Sequence, residues 1–350
     1  MSKRQYELVY TGKIKEEDIL ANKDGVFPVS LEIEKVFNSD RHEIFEDNWK
    51  NMIVYGDNLQ FLKTVYENKD PLIKDKVKEK VKLIYIDPPF ATKNNFKNKD
   101  GQRVYTDKLK GAEFIEFLRR RLILAREILA DNGIIIVHLD WRKQHYLKII
   151  LDEIFKEKNF RNEIIWHYFM GGKAKKFFSR KHDNLLCYSK SDTFTFNELV
   201  TERILPYTPS MNNNKGLSQI ACKNCGKGSG IWKSIVKQDD VWDISGVFNM
   251  SHEYLNYPTQ KPEGLLKRII NSLSNENDLI LDFFGGSGTT MAVAEKLNRK
   301  WIVCDFEKLS YFVMQKRILQ IQNSKDLKDF KKKYGKKAKS FITVSFKIHN

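Results

Sequence analysis

Apolar runs that end abruptly in aspartate, glycine or proline recur along this chain and alternate with helically spaced stretches. Met52–Tyr55 reads as a short buried strand stopping at Gly56-Asp57-Asn58, and Leu59–Tyr66 carries apolar residues at helical spacing. Leu83–Ile86 is a second strand, closed by Asp87-Pro88-Pro89-Phe90. Glu113–Leu129 predicts an amphipathic helix stopped by Asp131-Asn132-Gly133, followed by Ile134–Leu139, a strand of the kind buried on both faces. A helix at Gln144–Phe155 and strands at Glu163–Trp166 and Asn184–Tyr188 continue the pattern. The rhythm is lost over residues 191–256 and returns with a helix at Glu263–Leu273, the strand Asp278–Asp282, a glycine turn, a helix at Thr290–Leu297 and the strand Trp301–Cys304. Strands and helices in alternation define an α/β protein.

These shifts divide the chain into an N-terminal appendage (1–50), a first core half (51–190), an insertion (191–256), a second core half (257–320) and a basic C-terminal extension (321–350). The extension holds the lysine-rich stretch Lys331–Lys339 and the alternating Phe341–Phe346. Hydrophobic residues at 41% and charged residues at 30% supply a sizeable core and argue against extended disorder. Lys plus Arg at 61 against Asp plus Glu at 45 leaves +16, a balance that seeks polyanions, nucleic acid first. No run reaches the roughly 18 apolar residues of a membrane span, and the start lacks an apolar signal core. Four cysteines do not make a disulfide framework and fit a reducing, cytoplasmic setting.

Two motifs carry chemistry. Asp282-Phe283-Phe284-Gly285-Gly286-Ser287-Gly288-Thr289-Thr290 lies between a predicted strand and a predicted helix, where glycines allow a tight turn and close approach of a ligand to the backbone. Asp305, with Glu307 behind it, ends the next strand and is placed to take the hydroxyls of a ribose. The arrangement suits a nucleoside cofactor. A P-loop is excluded, because no Gly-Lys-Ser/Thr stands at the required place. In the other motif, two prolines directly after a buried strand form a rigid turn whose carbonyls lack local donors. A planar aromatic amine fits it, with its hydrogens on Asp87 and the Pro88 carbonyl and its ring on Phe90.

Together, in this order, the two motifs resemble the β class of S-adenosylmethionine-dependent DNA amino-methyltransferases, closest to the modification subunits of Type III restriction-modification systems and their solitary relatives. The likeness spans about residues 51–319 and includes Gly56-Asp57-Asn58-Leu59, Gly133–His138, Asn159–Trp166, Leu185–Lys190 and Tyr257–Glu263. It implies a circularly permuted Rossmann-type core with an inserted target-recognition segment at 191–256, shorter here than in typical Type III subunits. It implies that Asp87, Pro88, Pro89 and Phe90 hold and stack a flipped base. Phe284, Gly286 and Gly288, with Asp282 and Thr289, would shape the methionine end of the cofactor pocket. Asp305 would bind the ribose, Asp57 would lie near the adenine, and Thr259 and Lys261 would close over the cofactor, Lys261 pairing with its carboxylate. Two residues depart from the family pattern: Phe283 where proline is usual, and Phe90 where many members have tyrosine.

The implied reaction is direct methyl transfer from S-adenosylmethionine to N6 of adenine in double-stranded DNA. It needs no catalytic cysteine, and none of Cys187, Cys222, Cys225 or Cys304 follows a proline. Cytosine N4 as the target, and a non-catalytic specificity subunit, stand as alternatives. A homodimer and a restriction subunit are the further partners the resemblance brings in; a membrane is not among them. Cys222-Lys-Asn-Cys225, with distant His252, falls short of a zinc site and is read as free thiols, so no metal is expected. His138 and His145 are read as structural.

Overall fold

The computed structural model describes residues 6–38, 45, 47–89, 95–97, 103–106, 111–169, 174–205, 217–221 and 228–347. A short helix α1 (Glu16–Leu20) and strand β1 (Leu31–Phe37) precede the first core unit, β2 (Asn51–Tyr55), α2 (Asn58–Glu67) and β3 (Val81–Ile86). A small hairpin of β4 (Asn95–Lys97) and β5 (Arg103–Thr106) leads to α3 (Gly111–Ile128), β6 (Leu129–Leu139), α4 (Gln144–Phe155), β7 (Phe160–His167) and β8 (His182–Ser189). Next come β9 (Val200–Leu205), β10 (Leu217–Ala221), β11 (Gly228–Lys237) and β12 (Val241–Asp243). The chain closes with α5 (Glu263–Leu273), β13 (Leu279–Asp282), α6 (Thr289–Lys296), β14 (Lys300–Asp305), α7 (Lys308–Leu319) and β15 (Phe341–Phe346).

Ten strands form one sheet in the order β1-β15-β2-β14-β13-β3-β6-β8-β7-β12. The six from β15 to β6 run parallel; β8 is antiparallel to them, and β7 and β12 beyond it run with the six again. Alternation within the strands serves two helical layers. Ile84 and Ile86 of β3 pack with Leu118 and Leu122 of α3, while Leu83 and Tyr85 pack with Leu266 and Ile269 of α5. This is a doubly wound Rossmann-type sheet. Its permutation is visible in the pairing: β3, early in the chain, lies directly beside β13, with Leu279 opposite Val81 and Leu281 opposite Ile84.

From β13 the chain crosses through α6 to β14 on one side; from β3 it crosses through α3 to β6 on the other. The order of strands therefore reverses between β13 and β3. In an open parallel sheet that reversal leaves a crevice at the carboxyl ends of the strands, where ligands bind.

Three features differ from the sequence reading. The strand expected at Ile134 begins at Leu129, and its pairing with β3 slips between Val81 and Leu83, absorbing the Asp131-Asn132-Gly133 turn. The terminal segments complete the core sheet: β15 pairs parallel with β2, and β1 pairs antiparallel with β15. Residues 191–256 build a separate antiparallel sheet, β10-β11-β9, yet also return β12 to the main sheet beside β7. Among the described residues no helix is long and apolar enough to cross a membrane.

Buried Asn51 fastens the layers that carry the crevice. Its Oδ1 accepts from Trp49 Nε1 (2.8 Å) and Trp301 N (2.9 Å), and its Nδ2 donates to Glu295 Oε2 (3.0 Å). Truncation would take the acceptor from the Trp49 Nε1 and Trp301 N donors, at about 1–3 kcal/mol each, while Glu295 Oε2 keeps Trp301 Nε1. Asn51→Ala is expected to lower stability by about 2–4 kcal/mol in urea unfolding; a change below about 0.5 kcal/mol, the range of a neutral surface substitution, would contradict this role.

Candidate active site

Four neighbouring parallel strands deliver an aspartate each to the same edge. β14 and β13 end in Asp305 and Asp282, β3 runs directly into Asp87, and β2 reaches Asp57 after Gly56. All four border one cavity of about 230 Å³. Pro88, Pro89, Thr259, Lys261, Phe284, Gly286 and Thr289 border it as well. The structure thus gathers nearly all the residues singled out from the sequence. Phe90, Cys222 and Cys225 lie outside the described residues. Gly288 is the exception within them: a Cβ there would meet Met291 Cε at 2.8 Å and Met314 Cγ at 3.0 Å, so it permits close packing of α6 and α7.

Each carboxylate is handled differently. Asp57 caps α2, its Oδ1 accepting from Leu59 N (2.9 Å) and Gln60 N (3.0 Å), and its Oδ2 faces Arg121 Nη2 at 3.3 Å. Asp282 accepts from Phe284 N (2.9 Å) and Thr290 Oγ1 (2.6 Å); burial nevertheless pushes its carboxyl up to about 7. Asp305 is also raised by burial, while the N–H groups of Gly286 (2.7 Å) and Glu307 (2.9 Å) partly offset the shift. Gly286 holds φ +50°, a left-handed conformation that aims its N–H at Asp305 and suits glycine.

Asp87 pairs through Oδ2 with Lys261 Nζ. Its Oδ1 is buried and, among the described residues, accepts no hydrogen bond. A carboxylate oxygen without a donor is costly to bury, which marks a position prepared for one. Behind Lys261 a chain of contacts reaches into the core. Thr289 Oγ1 donates to the Lys261 carbonyl (3.0 Å), Arg317 Nη1 donates to Thr289 Oγ1 (2.9 Å), and Arg317 Nη2 donates to Glu263 Oε1 (2.9 Å). The glycine turn and the Thr259–Lys261 arm are therefore held as one unit. Thr259 adopts φ +62°, an outlier for a β-branched residue.

Sequence reasoning missed several residues that border the cavity. Arg121 is one of three consecutive arginines in α3; Arg119 is buried as well, and nothing in the run distinguishes the one that borders the cavity. Its Nε donates to Asn58 Oδ1 (2.5 Å), its guanidinium lies 3.6 Å from the Phe117 ring centre, and burial pulls its pKa down to about 10. Tyr85 lies inside β3, where an apolar run conceals a polar tip. Its hydroxyl is 2.8 Å from His138 Nδ1, and His138 Nε2 is 3.2 Å from Asp183 Oδ2. His138 is thus a satisfied buried histidine.

The DNA methylase family, of N6/N4 type, matches residues 81–315, more than half of the chain. The Type II methyltransferase M.EcaI of Enterobacter cloacae is 30% identical, the match covering 89% of this chain and 77% of that protein. The DNA adenine methyltransferase YhdJ of Escherichia coli (strain K12) is 31% identical over 73% of this chain and 78% of its own length. The solved structure of PvuII DNA methyltransferase (cytosine-N4-specific) superposes with a TM-score of 0.51 at 18% identity, covering 76% of this chain and 86% of that one. That last likeness concerns the fold. The chain belongs to the DNA methylase family. It is an S-adenosylmethionine-dependent DNA methyltransferase with the expected Rossmann-type core.

The donor set fits this cofactor. Sulfonium and ammonium groups suit a cavity edged by four aspartates, a carboxylate suits Lys261 or Arg121, and adenine suits the flat face of Phe306.

The raised Asp282 carboxyl has a measurable consequence. Between its ordinary value of about 3.9 and about 7, the folded state binds more protons than the unfolded, so stability falls as pH rises through that window. Asp282→Asn cannot ionise. Its urea midpoint is expected to gain on wild type as pH rises from about 4 to about 7; parallel curves would show that Asp282 ionises freely in the fold.

Proposed function

We propose that this enzyme transfers a methyl group from S-adenosylmethionine to N6 of an adenine flipped out of double-stranded DNA. The observation that carries the reading is the buried Oδ1 of Asp87, without a partner among the described residues, on the rim of the cavity that also holds the glycine turn.

S-adenosylmethionine, when bound, supplies an electrophilic methyl on a sulfonium sulfur. The protein's part is to hold and orient. Asp87 Oδ1 accepts one hydrogen of the target amine and the Pro88 carbonyl accepts the other, which concentrates the lone pair on nitrogen and aims it into the cavity. Lys261 holds Asp87 in place through their ion pair. Asp87 Oδ1 then receives the proton that the methylated nitrogen sheds. Phe90 is assigned the stacking face from the sequence motif. Asp282, Phe284, Gly286 and Thr289 form the methionine end of the pocket, with Gly288 setting the turn behind them. Asp305 and Asp57 serve the ribose and adenine ends, and Thr259 and Lys261 the closing arm.

Adenine is favoured over cytosine by aspartate rather than serine at the head of the Pro-Pro turn, and by the likeness to the adenine methyltransferase YhdJ. Residues 191–256, with the β10-β11-β9 sheet, are assigned the reading of base sequence. Double-stranded DNA is the partner this reading requires, and the cytoplasm is where it would be met.

The test is methylation of random-sequence duplex DNA by the purified chain, read base by base. N6-methyladenine in one short motif is expected. Asp87→Ala should lower turnover by about 10²–10³, as for loss of a group serving the transition state, with cofactor affinity unchanged. N4-methylcytosine would overturn the base assignment. Full activity in Asp87→Ala would remove Asp87 from the chemistry.

A further inference from the structure

A second surface lies on the same edge of the sheet, outside the cavity. β6 pairs with β3 up to Val137 opposite Ile86, so Asp87 sits one residue beyond the pair. β8 begins beside the end of β6, with Asn184 opposite Leu139, and His182 of β8 faces His167 at the end of β7. The segment between β7 and β8 therefore emerges on the carboxyl side of β3, two or three strands away. Strand spacing of about 4.8 Å puts the two ends of the segment roughly 10–15 Å across the sheet from Asp87.

That segment is unusual in composition and posture. Lys175, Lys176, Phe177, Phe178, Arg180 and Lys181 follow one another with no acidic residue among them. Arg180 is spread over two rings: its guanidinium lies 3.7 Å from the Trp141 ring centre and 4.6 Å from that of Phe177. Trp141 stands two residues beyond β6, so this stack ties the segment to the strand that flanks the catalytic turn. Asp140, Asp183 and Asp243 are nearby carboxylates, and each is engaged: Asp140 pairs with Arg142, Asp183 with His138 and Tyr168, and Asp243 with His167. The outward-facing charge is positive. Beside the stack, the Phe178 ring is 97% exposed. Burial cannot account for a phenyl group placed wholly in water and flanked by cations.

We infer that Phe178 is the wedge that enters the base stack when the target nucleotide leaves it, with Lys175, Lys176 and Lys181 on the flanking phosphates. The inference rests on the base-flipping reading above. Extruding a nucleotide leaves a gap in the duplex, and the unstacking costs a few kcal/mol. Proteins that open DNA fill such gaps with apolar side chains. Arg180 acts as a positioning residue, holding the segment against Trp141 so that the neighbouring ring projects.

The experiment uses the full chain, wild type and Phe178→Ala, on two duplexes carrying the recognition motif. In one the target adenine is paired; in the other it faces an abasic site and is already unpaired. Because the ring is fully exposed, its removal leaves the fold intact, which circular dichroism checks. Phe178→Ala is expected to lower kcat/KM on the paired duplex by about 5- to 100-fold, the range for loss of one base–aromatic stack, and by less than twofold on the abasic duplex. Phe178→Trp should restore the paired substrate. Equal losses on both duplexes, or none on either, would overturn the wedge. A parallel readout separates this inference from the reading beneath it: 2-aminopurine at the target position should brighten on wild-type binding and stay dim with Phe178→Ala. Brightening without adenine methylation would sink the base assignment and spare the wedge. Brightening undiminished in Phe178→Ala would sink the wedge alone.

Discussion

Four carboxyl groups converge on one edge of this sheet, and the rest of the site is arranged around the difficulty of keeping them there. Carboxylates in one cavity repel one another, and burial makes each ion more expensive. The fold gives each a separate remedy. Asp57 is a helix cap facing a buried arginine, Asp305 is clamped by two backbone N–H groups, and Asp87 is paired with Lys261. Asp282 receives the least compensation, and its carboxyl is held up near neutrality. The remaining negative field is an asset to an enzyme whose methyl donor is cationic at the reacting sulfur.

The topology explains why these remedies are compatible. Crossing directions reverse between β13 and β3, so the crevice opens where the turns carrying Asp282 and Asp87 meet. The Thr259–Lys261 arm bridges the two. Its charge goes to Asp87 and its backbone to Thr289, while the Arg317–Glu263 pair braces it from α7 and α5. Methyl donor and acceptor amine are thereby assigned to walls of one rigid body, although they come from opposite ends of the chain.

Much of this was legible in the sequence for a definable reason. Parallel strands buried on both faces read as unbroken apolar runs, and their carboxyl ends were marked by aspartate followed by glycine or proline. Strand and helix extents at β2, β3, α4, α5 and β13 were close to those observed. The edges of the sheet were not legible. β1 is mostly exposed, and β12 is only three residues long, so neither has the apolar continuity that announces a strand. Arg121 and Tyr85 escaped notice because their importance lies in burial and partners that local sequence does not encode. Gly288 shows how one glycine can carry two readings. A glycine in a cofactor motif invites a ligand explanation, yet here Met291 and Met314 supply a packing one.

The central claim is that one cavity holds both the methyl donor and the amine it reaches. A crystal structure of the chain with S-adenosylmethionine tests it most directly. The account predicts the cofactor in the crevice between β13 and β3, with its methyl directed toward Asp87 and its adenine toward Asp57 and Phe306. A cofactor seated elsewhere, or one whose methyl points away from Asp87, would contradict it.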